Sequence, residues 1–529
     1  MKRLALNGMM LVTGLLLAAP TCDAQVEGPK LVVMISADQL RGDLIDRYAE
    51  VFTGGFTRLL EQGYSFTQAN HAHAVTHTAA GHATLSTGVF PSRSGIVANS
   101  WAQRSGEQWA AMYAVEDPES PIVGVPELPG RSPKNLLRGG LADWVAAADE
   151  DARIVSLSGK DRAAITMAGT AKGHVYWVDQ LLGRFITSEY YRSRYPGWVR
   201  DFNEDVMPSF TGDTVWTNSV AEGDRALARA DSADYEADGV HTTMPHWAHE
   251  ERAPDDDQAQ NAWALSKPWM DGAVMALAKV AIDELDLGQR GHVDYLGLSL
   301  SATDYVGHSF GPFSQEQMDN LLRLDGELGA FFEYLDATVG EGAWVVGFSG
   351  DHGIMTMPEY LIEQGEVAER VDGAARRSAF NQVLQSEAQA GGSQDEIIER
   401  VARALEREGL VAKAYTHMEF TRGEPADSFA TLYRNSHYPG RAHGWLSRLG
   451  LEVRFESQAL VSDYPGGTSH GSPYWYDRHV PFIVLGAAVG HGSSSGRAYT
   501  VDLAPTLAGL AGVPFPDDLD GRPIYPPIF

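Results

Sequence analysis

The stretch LVVMISAD, Leu31 to Asp38, decides the fold of this chain. Its first seven residues are apolar or small and have the length of a strand, and a carboxylate ends the run. Continuous apolar runs of this kind are typical of strands buried on both faces, as in parallel sheets covered by helices. We therefore expect Leu31 to Ala37 to be a central strand with Asp38 at its carboxyl end.

Similar runs recur along the chain and alternate with helical patterns. The other predicted strands are Arg153 to Ser158, Val293 to Ser299, Trp344 to Phe348 and Pro481 to Gly486. The clearest predicted helices are Pro268 to Leu287 and Gln315 to Leu335. This alternation predicts an α/β fold with a mainly parallel central sheet flanked by helices. Catalytic groups are then expected at the carboxyl ends of the strands.

Two stretches break the alternation. Residues 180–265 are rich in Trp, Tyr, Asp and Pro, and residues 366–460 are polar and irregular apart from a helix near 395–408. We interpret both as insertions that cap the site of one catalytic domain, residues 25–529. Surface decoration is the alternative interpretation.

The N-terminus has the pattern of a signal peptide. Basic Lys2 and Arg3 precede an apolar run, and small residues lead to a predicted cleavage site after Ala24. Cleavage there would remove Cys22, the only cysteine, so no thiol would remain for a disulfide or a metal site. We expect a periplasmic or secreted protein with no membrane attachment after cleavage.

The chain is strongly acidic, with a formal net charge of -29 over 529 residues. Such a charge argues against nucleic acid or an anionic membrane as a partner. An anionic substrate would need local cations in the site to attract it.

Carboxylates and imidazoles cluster after the predicted strands, with glycines around them. The candidate ligands are Asp38, Asp304, His308, Asp351, His352 and His470. A spacing of four puts Asp304 and His308 on one face if their segment is helical. Carboxylates with imidazoles and no thiolate suit zinc in an open, catalytic site.

The segment THTAAGHATLSTGVFPSRSGIVANSW, Thr76 to Trp101, resembles the nucleophile segment of the alkaline phosphatase superfamily. ISAD, SATDYVGH, SGDHG and TSHGSPY strengthen the resemblance, which is most specific to PafA-like alkaline phosphatases with a threonine nucleophile. It extends from about residue 30 to the DLDGRPI segment near the C-terminus.

The resemblance implies a site with two zinc ions and Thr78, rather than Thr76, as the nucleophile. One zinc would be held by Asp304, His308 and His470. The second would be held by Asp38, Asp351, His352 and the Thr78 oxygen. The phosphoryl oxygens would be bound by Asn99, Lys160 and Arg162. These two cations and the metals would supply the positive charge that an acidic protein needs to hold phosphate.

The resemblance therefore implies an exported alkaline phosphatase that hydrolyses phosphate monoesters through a phosphothreonine. We expect small-molecule phosphate esters as substrates, no nucleic-acid partner, and a monomer. A phosphodiesterase or nucleotide pyrophosphatase of the same superfamily is the alternative enzyme. A non-catalytic phosphate-binding protein is the alternative from another class.

Overall fold

A computed structural model of the chain describes residues 28–212, 215–237, 243–251, 256–487 and 489–526. The predicted signal peptide lies outside these residues. The strands are β1 Leu31–Ala37, β2 Tyr64–Phe66, β3 Ser100–Ser105, β4 Gln108–Tyr113, β5 Ile154–Ser158, β6 His174–Asp179, β7 Arg184–Ile186, β8 Val215–Trp216, β9 His246–Trp247, β10 Asp294–Leu300, β11 Trp344–Ser349, β12 Glu369–Asp372, β13 Lys413–Thr416, β14 Arg441–Ala442, β15 Leu451–Arg454, β16 Ala459–Ser462, β17 Phe482–Gly486 and β18 Gly492–Ser494.

The α-helices vary from single turns to six turns. They are α1 Gly42–Arg47, α2 Gly55–Gln62, α3 Thr78–Thr87, α4 Pro91–Ser94, α5 Leu141–Ala148, α6 Asp161–Ala168, α7 Gly197–Asp201, α8 Pro208–Thr211, α9 Ala248–Glu251, α10 Asp257–Ala264, α11 Trp269–Glu284, α12 Ala302–Phe310, α13 Gln315–Leu335, α14 Pro358–Glu363, α15 Gly373–Gln389, α16 Gln394–Arg407, α17 His417–Thr421, α18 Ser428–Ser436, α19 Trp445–Arg448, α20 Trp475–Arg478 and α21 Leu503–Leu510. Among the described helices, none is long and apolar enough to cross a membrane.

A nine-stranded sheet forms the centre, in the order β18-β2-β17-β11-β1-β10-β5-β6-β7. The strands β11, β1, β10, β5 and β6 are mutually parallel, and β17 and β7 run antiparallel to their neighbours β11 and β6. The prediction of a mainly parallel α/β sheet is therefore confirmed, with β1 in the centre.

Strand β1 shows why the apolar run is continuous. Leu31, Val33 and Ile35 pack into a core that also contains residues of α11 and α13. Val32 and Met34 point to the opposite face, into a second core with residues of α5 and α21. Every residue of β1 is buried, because helices cover both faces of the sheet.

Segment 366–460 contains the helix predicted near 395–408, as α16 Gln394–Arg407, but the prediction that the rest of the segment is irregular is wrong. It contains α15 to α19, and α15 and α16 share a small core with residues near β13 and β15. Strand β14 of this segment pairs with β3, so Ala442 lies opposite Ala102. The segment therefore folds as a compact α/β unit fastened to the hairpin that follows Asn99.

Candidate active site

The candidate residues lie at one edge of the sheet, where adjacent parallel strands end. Asp38 follows β1, Asp351 follows β11 and Lys160 follows β5. Asp304 lies in the first turn of α12, which begins two residues after β10. Because β11, β1, β10 and β5 are neighbours, their carboxyl ends bring these side chains together.

Asp304, His308 and His470 form one group that could hold a metal ion. Asp304 Oδ1 lies 3.2 Å from His308 Nε2 and 3.7 Å from His470 Nε2. The helical spacing of four in α12 places Asp304 and His308 on one face.

Asp38, Asp351 and His352 form a second group, and all three side chains are fully buried. His352 Nε2 lies 3.5 Å from Asp38 Oδ1 and 3.3 Å from Asp351 Oδ2. The rings of His352 and His470 stack with centroids 3.6 Å apart, so the two groups adjoin. Each group has the same aspartates and histidines as one of the ligand sets that the resemblance implies.

The backbone fixes all three imidazoles in the same way. The Nδ1 atom of each ring lies against a carbonyl oxygen, which can only accept, so Nδ1 donates the hydrogen bond. The contacts are His308 to Thr468 O at 2.8 Å, His470 to Thr76 O at 2.7 Å and His352 to Gly353 O at 3.0 Å. Each Nε2 is left as a lone-pair donor directed at its group, the usual arrangement for histidines that bind metals.

The carboxylates also fit a divalent metal. Asp38 Oδ1 is buried and has no hydrogen-bond partner among the described residues. Burial, and then the nearby charge of Asp351, raises the pKa of Asp38 to about 7. Buried, unpartnered carboxylate oxygens are costly unless a cation is bound to them. The donor set of imidazole nitrogens and carboxylate oxygens therefore fits such a metal.

Thr78 is the first residue of α3 and is 1% exposed. Its Oγ1 lies 3.4 Å from His352 Nε2. His77 precedes the helix without capping it through its side chain, and Asn99 Oδ1 instead accepts from the N–H of Ala79 at 2.8 Å. Helix N-termini attract anions, so α3 directs partial positive charge at the position beside Thr78.

Lys160 bridges the two carboxylate groups. Its Nζ lies 2.6 Å from Asp38 Oδ2 and 2.5 Å from Asp304 Oδ2, and its side chain is 2% exposed. Burial alone would lower the pKa of Lys160, but Asp304 and Asp38 raise it above its usual value. The two carboxylates therefore favour the charged ammonium form of Lys160.

Arg162 lies farther out than Lys160. Its Nη1 is 3.5 Å from Tyr113 Oη, and Tyr113 donates to Asp161 Oδ1 at 2.5 Å. Arg131 Nε also donates to Asp161, at 2.6 Å. This network holds the Arg162 guanidinium at the edge of the site.

Two further residues contact the candidate ligands and were not predicted. Gln39 donates from Nε2 to Asp304 Oδ1 at 2.6 Å and from its backbone N–H to Asp351 Oδ1 at 2.9 Å. His82 Nδ1 lies 3.1 Å from Asp351 Oδ2 and 2.9 Å from Thr78 O. His82 stands four residues after Thr78, a helical spacing that could have indicated its position.

Comparisons with known proteins agree with this architecture. The family model for type I phosphodiesterase / nucleotide pyrophosphatase matches residues 32–472. The chain is 28% identical to alkaline phosphatase PafA of Elizabethkingia meningoseptica, covering 98% of both chains. It is 31% identical to alkaline phosphatase PhoV of Synechococcus elongatus, covering 94% of this chain and 93% of that protein.

Solved structures give the same result. The crystal structure of wild-type PafA matches with a TM-score of 0.84 and 27% identity, covering 94% of this chain and 98% of that chain. Murine ectonucleotide pyrophosphatase / phosphodiesterase 5 matches with a TM-score of 0.51 at 12% identity, over 92% of this chain and 97% of that chain, which shows a shared fold.

These matches show that the chain belongs to the alkaline phosphatase superfamily, and the central sheet and the two groups of candidate ligands agree with this assignment. Within the superfamily it is an enzyme of the PafA-like alkaline phosphatase group, whose members are phosphoric monoester hydrolases.

Proposed function

We propose that the enzyme is an exported alkaline phosphatase that hydrolyses phosphate monoesters through a phosphothreonine on Thr78. The observation that carries this proposal is the position of the Thr78 hydroxyl. It lies at the N-terminus of α3, beside His352, where the two groups adjoin and where Lys160 places a buried ammonium ion.

We assign one Zn²⁺ to each group, two per chain. Asp304, His308 and His470 would hold one ion. Asp38, Asp351, His352 and Thr78 would hold the other. When bound, zinc would lower the pKa of a coordinated hydroxyl and offset negative charge on the leaving-group oxygen.

The phosphoryl oxygens would be bound by Asn99, Lys160 and Arg162. Asn99 already uses Oδ1 for the N–H of Ala79, so its amide Nδ2 is the group that can donate to phosphate. Lys160 supplies a point charge and Arg162 a planar fork of donors. The N-terminus of α3 adds further positive potential.

Catalysis would then proceed in two displacements. The Thr78 oxygen attacks phosphorus, and the bond from phosphorus to the leaving alcohol breaks as the phosphothreonine forms. Water next attacks the phosphothreonine, which releases inorganic phosphate and restores Thr78. Lys160 and Arg162 would hold the equatorial oxygens in both steps, so the same groups stabilise both transition states.

The alternative is a phosphodiesterase, as the name of the matching family model allows. A monoester presents a dianionic phosphoryl group, whereas one oxygen of a diester carries a second substituent. Two buried or half-buried cations beside the site favour the dianion. This difference makes Lys160 and Arg162 the residues that discriminate between the two substrate classes.

The test is the double variant Lys160→Ala, Arg162→Ala, assayed on matched monoester and diester substrates. Each charge-assisted contact contributes about 1.5–3 kcal/mol, so monoester kcat/KM should fall on the order of 10²- to 10⁴-fold. Diester hydrolysis should fall much less. The matched control, Arg403→Ala with Arg407→Ala, removes two exposed cations far from these contacts and should leave both activities unchanged.

Equal losses on both substrates would show that the pair does not discriminate in favour of monoesters. A wild-type enzyme that prefers diesters would establish the phosphodiesterase alternative.

We also propose that the enzyme acts in the periplasm or outside the cell, as a monomer, on small-molecule phosphate esters. Mass spectrometry of the exported protein, with a new N-terminus at residue 25, would test the first of these points.

A further inference from the structure

A cavity of about 320 Å³ opens beside the cations of the site. Lys160 and Arg162 form part of its wall, together with Tyr305, which directly follows Asp304. The Tyr305 ring centroid lies 4.9 Å from Lys160 Nζ. The cavity therefore adjoins the proposed phosphate-binding cations, and Lys160 connects it to Asp304 through their hydrogen bond.

Its other walls come from the neighbouring strands. Trp177 and Leu181 lie at the end of β6 and in the turn that follows, and Ile186 ends β7. Ile122 also lines the cavity and lies beside the segment that follows β7, where it forms a β-bridge with Ser188. Strand β6 is the neighbour of β5 in the sheet, so the cavity continues the carboxyl edge on which the site is built. Ligands of open α/β sheets bind in the crevice along this edge.

The wall of the cavity is largely apolar away from Lys160 and Arg162. Ile122 and Ile186 are each 2% exposed, and Leu181 is 55% exposed. Leu181 is among the most exposed large apolar side chains of the described residues, which leaves apolar surface at the mouth of the cavity. A volume of this size is at the small end of ligand sites, which span about 300–1,000 Å³.

The charge of the cavity restricts what it can hold once phosphate is bound. A phosphoryl dianion would engage Lys160 and Arg162. The ionisable groups left in the wall are Arg131, which is paired with Asp161, and Asp179. One cation then faces two carboxylates, so a second anionic group would be repelled.

We infer that this cavity is the leaving-group subsite, and that it takes a compact, neutral, apolar alcohol or phenol; this rests on the proposed phosphatase activity. Substrates with a second phosphate or a carboxylate on the leaving group would be disfavoured. Specificity would thus come from the ends of β6 and β7, in addition to the phosphoryl site.

The test compares phenyl phosphate with 4-(carboxymethyl)phenyl phosphate. The methylene separates the carboxylate from the ring, so the two phenols have similar acidity and differ chiefly in charge. The zinc-loaded wild type should favour phenyl phosphate about tenfold in kcat/KM, the size expected for one uncompensated charge contact near a protein surface. Asp179→Asn should reduce this ratio, because it removes a negative charge from the wall of the cavity. The turn should be retained, because the amide oxygen of asparagine can still accept from the N–H groups of Leu181 and Leu182.

A second variant tests the apolar wall. Leu181→Asp should lower kcat/KM for phenyl phosphate about tenfold, mainly through KM. The inhibition constant of inorganic phosphate, which has no leaving group, should differ much less between this variant and wild type. Leu137→Asp is the matched control, because Leu137 is also exposed, at 45%, and does not line the cavity.

Equal effects of the two aspartate substitutions, or equal wild-type rates on the two aryl substrates, would overturn the inferred subsite while leaving the phosphatase proposal intact. A wild-type enzyme that hydrolyses neither monoester would overturn both.

Discussion

The substitution Gln39→Ala tests whether the two groups of candidate ligands are held by a shared residue. It removes the hydrogen bond from Gln39 Nε2 to Asp304 Oδ1 and keeps the backbone hydrogen bond to Asp351. Gln39 has a φ of 67°, which is strained for any residue other than glycine. Alanine keeps that strain, so the comparison isolates the side-chain amide.

The size of the effect follows from this contact. A hydrogen bond to a charged acceptor contributes about 1.5–3 kcal/mol. Loss of a partner that orients a metal ligand typically costs about 10- to 100-fold in metal affinity, which is the same range of free energy. Because the amide contacts Asp304, the loss should fall on the ion held by Asp304, His308 and His470, and the other ion should be affected less.

The assay is competition for zinc between the enzyme and a chelator, with metal content measured in parallel. Wild type should show two zinc ions per chain. The variant should lose one of them at a free chelator concentration about 10- to 100-fold lower than wild type requires. Gln68→Ala is the control, because Gln68 is exposed and donates only to the neighbouring Thr67 carbonyl among the described contacts. Equal zinc retention by wild type and Gln39→Ala would refute the positioning role.

Three further predictions concern the nucleophile, the packing beneath it and the acid stability of the fold. Thr78→Ala should remain folded with both metals bound and lose most phosphatase activity, because the attacking oxygen is gone; normal turnover would exclude Thr78 as the nucleophile. Gly81→Ala should lower Tm, since its Cβ would overlap the backbone carbonyl of Asp351, whereas Gly326→Ala in α13 has open space and should not. Burial alone would raise the pKa of Glu452, but two histidines hold it below its usual value. That stability is present above the unfolded pKa of about 4.3 and is lost as the pH falls, so Glu452→Gln should show a flatter Tm profile below this pH.

The central strands could be predicted from the sequence because they are buried on both faces. Each end of the five predicted strands, β1, β5, β10, β11 and β17, lies within one residue of its observed position. The edge strands β7 and β18, and β2 beside β18, have three residues each, too few for an apolar pattern to be recognised.

Only one helix of segment 366–460, α16, was predicted, although the sequence carries signals for others. Ser393 with Glu396, and Thr416 with Glu419, form capping boxes that mark helix starts in an otherwise polar stretch. The other helices were not predicted because a core as small as the one between α15 and α16 needs few apolar residues, which leaves the composition polar.

The candidate site was only partly predictable. Strand ends and glycines indicated the candidate ligands, and the family resemblance implied their division into two groups. The Gln39 contacts depend on a left-handed backbone conformation at a residue that is not glycine, and no sequence pattern predicts such a conformation. The bridge from Lys160 to both carboxylates likewise depends on how β5 and β1 are arranged around β10.

The pairing of β14 with β3 has a consequence for protein engineering. Strand β3 begins one residue after Asn99, and Arg441 and Ala442 cover one of its edges. A shortened enzyme without segment 366–460 would expose that edge next to Asn99, the proposed phosphate-binding amide, and exposed strand edges pair with other chains. A minimal version should therefore retain β14. If β14 is removed, a substitution on β3, such as proline or lysine, should block pairing with other chains. Otherwise the smaller enzyme would gain a tendency to aggregate at the site it was meant to preserve.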